Sequence, residues 1–162
     1  MNMARLNWLR AGVLGANDGI ISVAVLLVSI VGVLSHDKMI VVGISGIVAG
    51  AVSMALGEYV SVSAQRDAER AAQSVEHTNP VHAAVSSFVA FVSGAVIPLA
   101  FAALFESVLA VFVAVLVAVT LTTIISVRFG KAKLGVQLAR NVIGGGLALS
   151  IGLVLNATFG TF

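Results

Sequence analysis

The chain has 162 residues, of which 59% are apolar and only 10% charged, against roughly 45–50% and 25% in an average soluble domain. Seven acidic and nine basic side chains cannot cover a globule of this size, so a water-soluble fold is excluded. Cysteine is absent and the net charge is only +2, which removes disulfide frameworks, thiolate metal sites and cysteine nucleophiles and leaves the basic residues as topology signals rather than a nucleic-acid surface.

A bilayer core of about 30 Å takes about 20 mainly apolar residues per helix. Five such runs predict an all-α membrane protein with spans at 11–34, 40–64, 83–105, 108–127 and 142–162. The first closes on Ser35-His36-Asp37-Lys38 and the second on Gln65-Arg66-Asp67, so the two form a helical hairpin. Residues 65–82 make a short polar loop, the longest in a chain that otherwise reads as a single transmembrane domain. Glu106-Ser107 separates the third and fourth spans, and Pro98 is expected to kink the third. The first run is too long for a signal peptide and contains Asp18. With the N-terminus cytoplasmic, Arg5, Arg10, Arg66, Arg70, Arg128, Lys131, Lys133 and Arg140 lie inside and only Lys38 outside. The positive-inside rule selects that orientation and puts the C-terminus outside the cytoplasm.

Two carboxylates sit deep in the apolar runs, Asp18 in the first and Glu58 in the second, with no Lys or Arg inside the spans to accompany them. An ionisable group in lipid is costly and marks a functional site by default. Asp18 lies eight residues beyond Arg10, and Glu58 eight before Arg66 on the antiparallel neighbour. Both are therefore expected about 12 Å inside the cytoplasmic boundary. Two carboxylates at one depth repel unless a cation or a shared proton intervenes, so metal and proton should compete for them. Met54, four residues before Glu58, projects from the same helix face, and Asn17 and Ser61 add weaker oxygen ligands. Oxygen ligands with one thioether favour ferrous iron or manganese over magnesium or calcium. The plainer alternatives are apolar packing for Met54 and, for the two acids, a neutral pair that ties two helices together.

Gly46 and Gly50 form a GxxxG, and Gly15 and Gly19 repeat the spacing in the first span, which predicts close approach of the first two helices. Gly144-Gly145-Gly146 serves packing or flexibility; no strand precedes it and no Lys-Ser/Thr pair follows, so it is not a phosphate loop. In the polar loop Asp67, Glu69, Glu76, His77 and His82 read as solvated residues, interleaved with Arg66 and Arg70. Every histidine lies in a loop and there is no nucleophile elbow. The chain reads as a non-enzyme.

The segments Leu9-Arg10-Ala11-Gly12-Val13-Leu14-Gly15-Ala16-Asn17-Asp18-Gly19 and Gly50-Ala51-Val52-Ser53-Met54-Ala55-Leu56-Gly57-Glu58-Tyr59-Val60-Ser61-Val62-Ser63 closely resemble the vacuolar iron transporter family. The five-span order agrees, as does Arg140-Asn141 ahead of the glycines of the fifth span. The resemblance implies a homodimeric exporter of Fe2+ or Mn2+ that exchanges metal for protons, with no resident cofactor and with its pathway between subunits. It further implies that Asp18, Met54 and Glu58 are in-membrane metal ligands. Many members insert a cytoplasmic helical domain rich in Glu and Met between the second and third spans. Residues 65–82 leave no room for it, so the resemblance is to a short, prokaryotic-type member. Such a member resides in the plasma or inner membrane, or in a vacuolar-type membrane if the source is eukaryotic. Two other readings fit the same residues: a non-transporting scaffold or partner subunit, and a passive cation channel.

Overall fold

A computed structural model describes residues 3–73, 78–130 and 134–160. They form five helices: α1 (Met3–Ile30), α2 (His36–Ala71), α3 (Pro80–Phe105), α4 (Val108–Gly130) and α5 (Leu134–Phe159). All five are long and apolar enough to cross a bilayer, and no strand occurs among the described residues. The chain is a multi-pass, all-helical membrane protein.

The span count agrees with the hydropathy reading, but the helix limits differ from the apolar limits. α2 runs on to Ala71 through Gln65, Arg66 and Asp67, and α5 begins at Leu134 instead of residue 142. Hydropathy measures what the bilayer covers, whereas a helix ends only where its backbone bonding is interrupted. The first helix correspondingly stops at Ile30, short of residue 34, because Gly32 takes a left-handed φ of 78°. That conformation is open to glycine without steric cost. The start of α3 follows from Asn79-Pro80: the Asn79 side-chain oxygen accepts from the His82 amide at 3.1 Å, and Pro80 occupies the first turn, where no amide donor is needed. Glu106 turns the chain between α3 and α4 in the left-handed region, φ 45°, its amide donating to the Ala102 carbonyl at 2.9 Å. α3 is continuous through the buried Pro98. Eight residues, 72–79, connect α2 to α3.

Successive helices alternate in direction, which gathers Arg10, Arg66, Arg70, Arg128 and Arg140 at one end of the bundle and leaves Lys38 at the other. Across the bundle, Ser86 near the start of α3 donates to the Trp8 carbonyl near the start of α1 at 3.0 Å. At the opposite end His36 Nδ1 lies 2.9 Å from Glu106 Oε1, and Asn156 Nδ2 donates to the Val31 carbonyl at 3.0 Å.

The packing order departs from the expected hairpin. α1 is central and touches the other four helices, but its most extensive partner is α3, and α2 too lies mainly on α3. The reason is the glycine stripe of α1. Gly12, Gly15 and Gly19 face Ser86, Ser87 and Phe91, and a methyl on Gly15 or Gly19 would overlap an α3 carbonyl oxygen. The two backbones therefore meet more closely than any larger side chain allows. Gly50 of α2 receives the ring of Phe91, and Gly46 receives Leu26. The small residues expected to join α1 to α2 thus mostly seat α3 side chains and backbone in the buried core, around Phe91, Ile20, Leu27 and Val28, while Gly46 meets α1 through Leu26. Outward, α2 presents Val41, Ile44, Val48, Val52 and Leu56, and α5 presents Ile143, Leu147, Ile151 and Val154, all exposed in the isolated chain. An apolar exterior of this extent belongs against lipid or another subunit.

Candidate metal site

Glu58 faces inward, only 5% exposed, one turn before the small cluster of Ala11, Val62 and Ala83 that closes the basic end. Its Oε1 forms an ion pair with Arg10 Nη2, and Arg10 is held from the other side by Asn7 Oδ1, which accepts from Nε and Nη2 at 3.3 Å each. A carboxylate withdrawn from water needs a counter-charge and hydrogen bonds, and Arg10 supplies both while 52% exposed itself. The expectation that no basic group accompanies the buried acids is corrected here for Glu58. Arg10 starts at the membrane boundary, but its long stem carries the guanidinium to a residue further in.

Asp18 is placed differently. It is at the middle of the α1 span, Asn7–Ile30, and on the exterior of the bundle. Its carboxylate has no hydrogen-bond or ion-pair partner among the described residues; only its backbone carbonyl accepts, from Ser22 Oγ at 2.6 Å. The neighbouring Asn17 turns inward, and its Oδ1 accepts from Thr122 Oγ1 on α4 at 3.0 Å. Asn17 is thereby used in helix packing.

The two acids also differ in depth. Leu27 lies against Gly43 and Leu26 against Gly46, Ala11 packs with Val62, and Arg10 reaches Glu58. This antiparallel register puts Asp18 level with Val52 and Ala16 level with Met54. Asp18 is then about six residues, or about 9 Å, deeper than Glu58, not at one depth with it. The count from Arg10 and Arg66 misses this because Arg66 lies on the part of α2 that extends beyond its apolar run, further out than Arg10. Met54 lies between the two levels, half-buried and packed against the core, which is the packing role weighed for it as well as a position between the acids. Ser61 is exposed, three residues beyond Glu58 toward the basic end.

No group of three or more His, Asp or Glu side chains converges among the described residues. In the last turns of α2, Asp67 pairs with Arg70 at 4.0 Å, and Glu69 accepts from Gln65 at 3.1 Å and from the buried Thr78 at 3.3 Å. Of the two, Glu69 ties the end of α2 to Thr78 just ahead of α3, whereas the Asp67–Arg70 pair lies within α2. Glu76 and His77 lie outside the described residues, and His82 is exposed. A polar seam between α4 and α5 went unpredicted: Asn141 Nδ2 donates to Thr123 Oγ1 at 3.0 Å, and Gln137 Nε2 to Ser126 Oγ at 2.6 Å. Thr123 and Ser126, three residues apart on one face of α4, are the signal that could have shown it.

The model of the VIT family matches residues 9–78 and 72–156, nearly the whole chain. The chain belongs to the VIT family. It is 41% identical to Vacuolar iron transporter homolog 2 of Arabidopsis thaliana, over 98% of this chain and 87% of the relative. Vacuolar iron transporter homolog 1 of the same plant is 40% identical over 97% and 86%. Vacuolar iron transporter homolog 5 of Oryza sativa subsp. japonica is 40% identical over 91% and 78%. Arg10, Asp18, Met54 and Glu58 all fall in the first stretch matched to the VIT family.

Proposed function

We propose that this VIT-family chain carries ferrous or manganous ions out of the cytoplasm in exchange for protons, as a homodimer with its N-terminus in the cytoplasm. The observation that carries the reading is Asp18, a carboxylate in mid-span, outward-facing and without a partner among the described residues. An acid at a helix centre costs roughly 2.5–3.5 kcal/mol on insertion scales, so a lone Asp18 facing lipid would be a persistent penalty. A second subunit against α1 removes it from lipid, and a divalent cation or a proton neutralises it. Two subunits bring up to four carboxylates to one pathway, with Met54 between the levels of Asp18 and Glu58. Cation and proton neutralise the same charges, and exchange of one for the other follows. The relatives' names, which speak of iron transport, support the same class of cargo.

The test is uptake of Fe2+ and Mn2+ by inside-out proteoliposomes carrying an internal pH dye. An acid lumen should drive metal in, metal entry should make the lumen more alkaline, and a protonophore should abolish accumulation. Accumulation that persists with the pH gradient collapsed and the membrane potential controlled rules out proton coupling and leaves a channel or an independently energised carrier. The competing scaffold reading has its own support in the Arg10–Glu58 pair and in the packing of Met54. Absence of any metal flux from a correctly inserted protein decides for it.

A further inference from the structure

We propose that Arg10 is a tethered counter-cation that holds the Glu58 carboxylate while the site is empty, and that it must swing out for a divalent metal to enter and swing back for the metal to leave. The inference rests on the reading of Glu58 as a metal ligand and adds a residue which that reading does not use. Three observations support it. Glu58 is buried and Arg10 is half exposed, so only one end of the pair is fixed by packing. The pair joins α1 to α2 at the basic end, between the water there and the deeper Met54 and Asp18, so a cation entering from that end meets the guanidinium first. Asn7 Oδ1 sits one turn before Arg10 on the same helix and already accepts from it, which offers the guanidinium a hydrogen-bonding partner nearer the end of the helix.

A guanidinium and a divalent cation compete for one carboxylate oxygen, and no covalent bond or proton moves. When the metal takes Glu58, Arg10 is displaced from the carboxylate and left with water and Asn7. When the metal departs, Glu58 would be a buried anion without a partner. The returning guanidinium removes that penalty, and so favours release. Arginine suits the role because it stays charged at any working pH and its long stem needs little backbone motion.

The experiment measures Mn2+ binding to the full-length protein in detergent, reading free Mn2+ by electron paramagnetic resonance. Arg10→Gln should tighten Kd roughly tenfold, the scale of one charge-assisted contact. Glu58→Gln, alone or combined with Arg10→Gln, should lose most binding. In proteoliposomes Arg10→Gln should lower KM and the maximal rate together, since the metal is no longer displaced on leaving. A merely structural Arg10 would reduce the yield of folded protein without tightening Kd. On the wild-type protein, saturating Mn2+ should accelerate phenylglyoxal modification of Arg10, followed by mass spectrometry. That measurement decides the matter even if Arg10→Gln fails to fold. If Arg10→Gln binds Mn2+ no tighter than wild type while Glu58→Gln loses it, or if Mn2+ leaves Arg10 reactivity unchanged, the counter-cation role is wrong and the site stands. If Glu58→Gln binds Mn2+ like wild type, the site assignment itself fails.

Discussion

Replacing Gly19 with alanine puts a methyl group where the α3 backbone already stands, and the outcome measures how far this bundle depends on the contact between α1 and α3. The added Cβ would overlap the carbonyl oxygen of Phe91, with the carbonyl carbon at 2.9 Å and the Cα at 3.0 Å. No rotamer change can withdraw a carbonyl, so one helix must move. Phe91 is 1% exposed and held against Gly50 on its far side, which leaves α3 little room to retreat. Overpacking costs roughly 1–3 kcal/mol, and a backbone neighbour places this case near the upper end. Alanine regains up to about 1 kcal/mol of helix propensity over glycine. The net loss is about 2 kcal/mol, or a roughly thirtyfold shift in the unfolding equilibrium. The assay is SDS-driven unfolding from mixed micelles, read by the fluorescence of Trp8, the one tryptophan, which sits at the α1·α3 contact through Ser86. Gly57→Ala is the matched control: nothing lies within 4 Å of a Cβ there, so its midpoint should stay the same or rise. Equal midpoints for Gly19→Ala and wild type, or an equal loss in Gly57→Ala, would refute the close-approach argument.

Asp18→Asn should abolish metal flux while leaving the SDS midpoint within about 0.5 kcal/mol of wild type, because the Asp18 carboxylate has no partner among the described residues to lose; a large loss of stability would assign Asp18 to the fold instead. Met54→Leu should change the preference among Fe2+, Mn2+ and Co2+ more than the maximal rate, since it removes a sulfur at nearly constant volume and should cost less than about 1.5 kcal/mol; an unchanged preference would leave Met54 to packing alone. Gly50→Leu should destabilise the subunit through the Phe91 ring rather than only separate dimers, a distinction that SDS unfolding and cross-linking make together. Reporter fusions should place Phe162 outside the cytoplasm and residues 72–79 inside it, and the reverse result would overturn the orientation drawn from the basic residues.

Membrane residence, five spans and the break at Glu106-Ser107 were legible in the amino-acid order because each depends on residues close together in the chain. Apolar length and a break between two apolar runs are local signals, and lipid allows few alternatives to helices once they are present. The family segments around Asp18 and Glu58 were equally legible, since a short motif carries its residue types whatever surrounds it. The partner of each helix was not. Glycines at helical spacing say that a backbone will approach closely, but every helix in the membrane is available to them. Only the assembled bundle brings α3 against Gly15 and Gly19 and turns Phe91 into Gly50. The same holds for the acids: counting eight residues from Arg10 and eight from Arg66 put Asp18 and Glu58 at one depth, because the count had no access to the true end of α2 or to the reach of Arg10. Tertiary structure buries Glu58 beside that guanidinium and turns Asp18 outward, since the direction of a side chain is decided by which neighbours occupy the other faces of its helix.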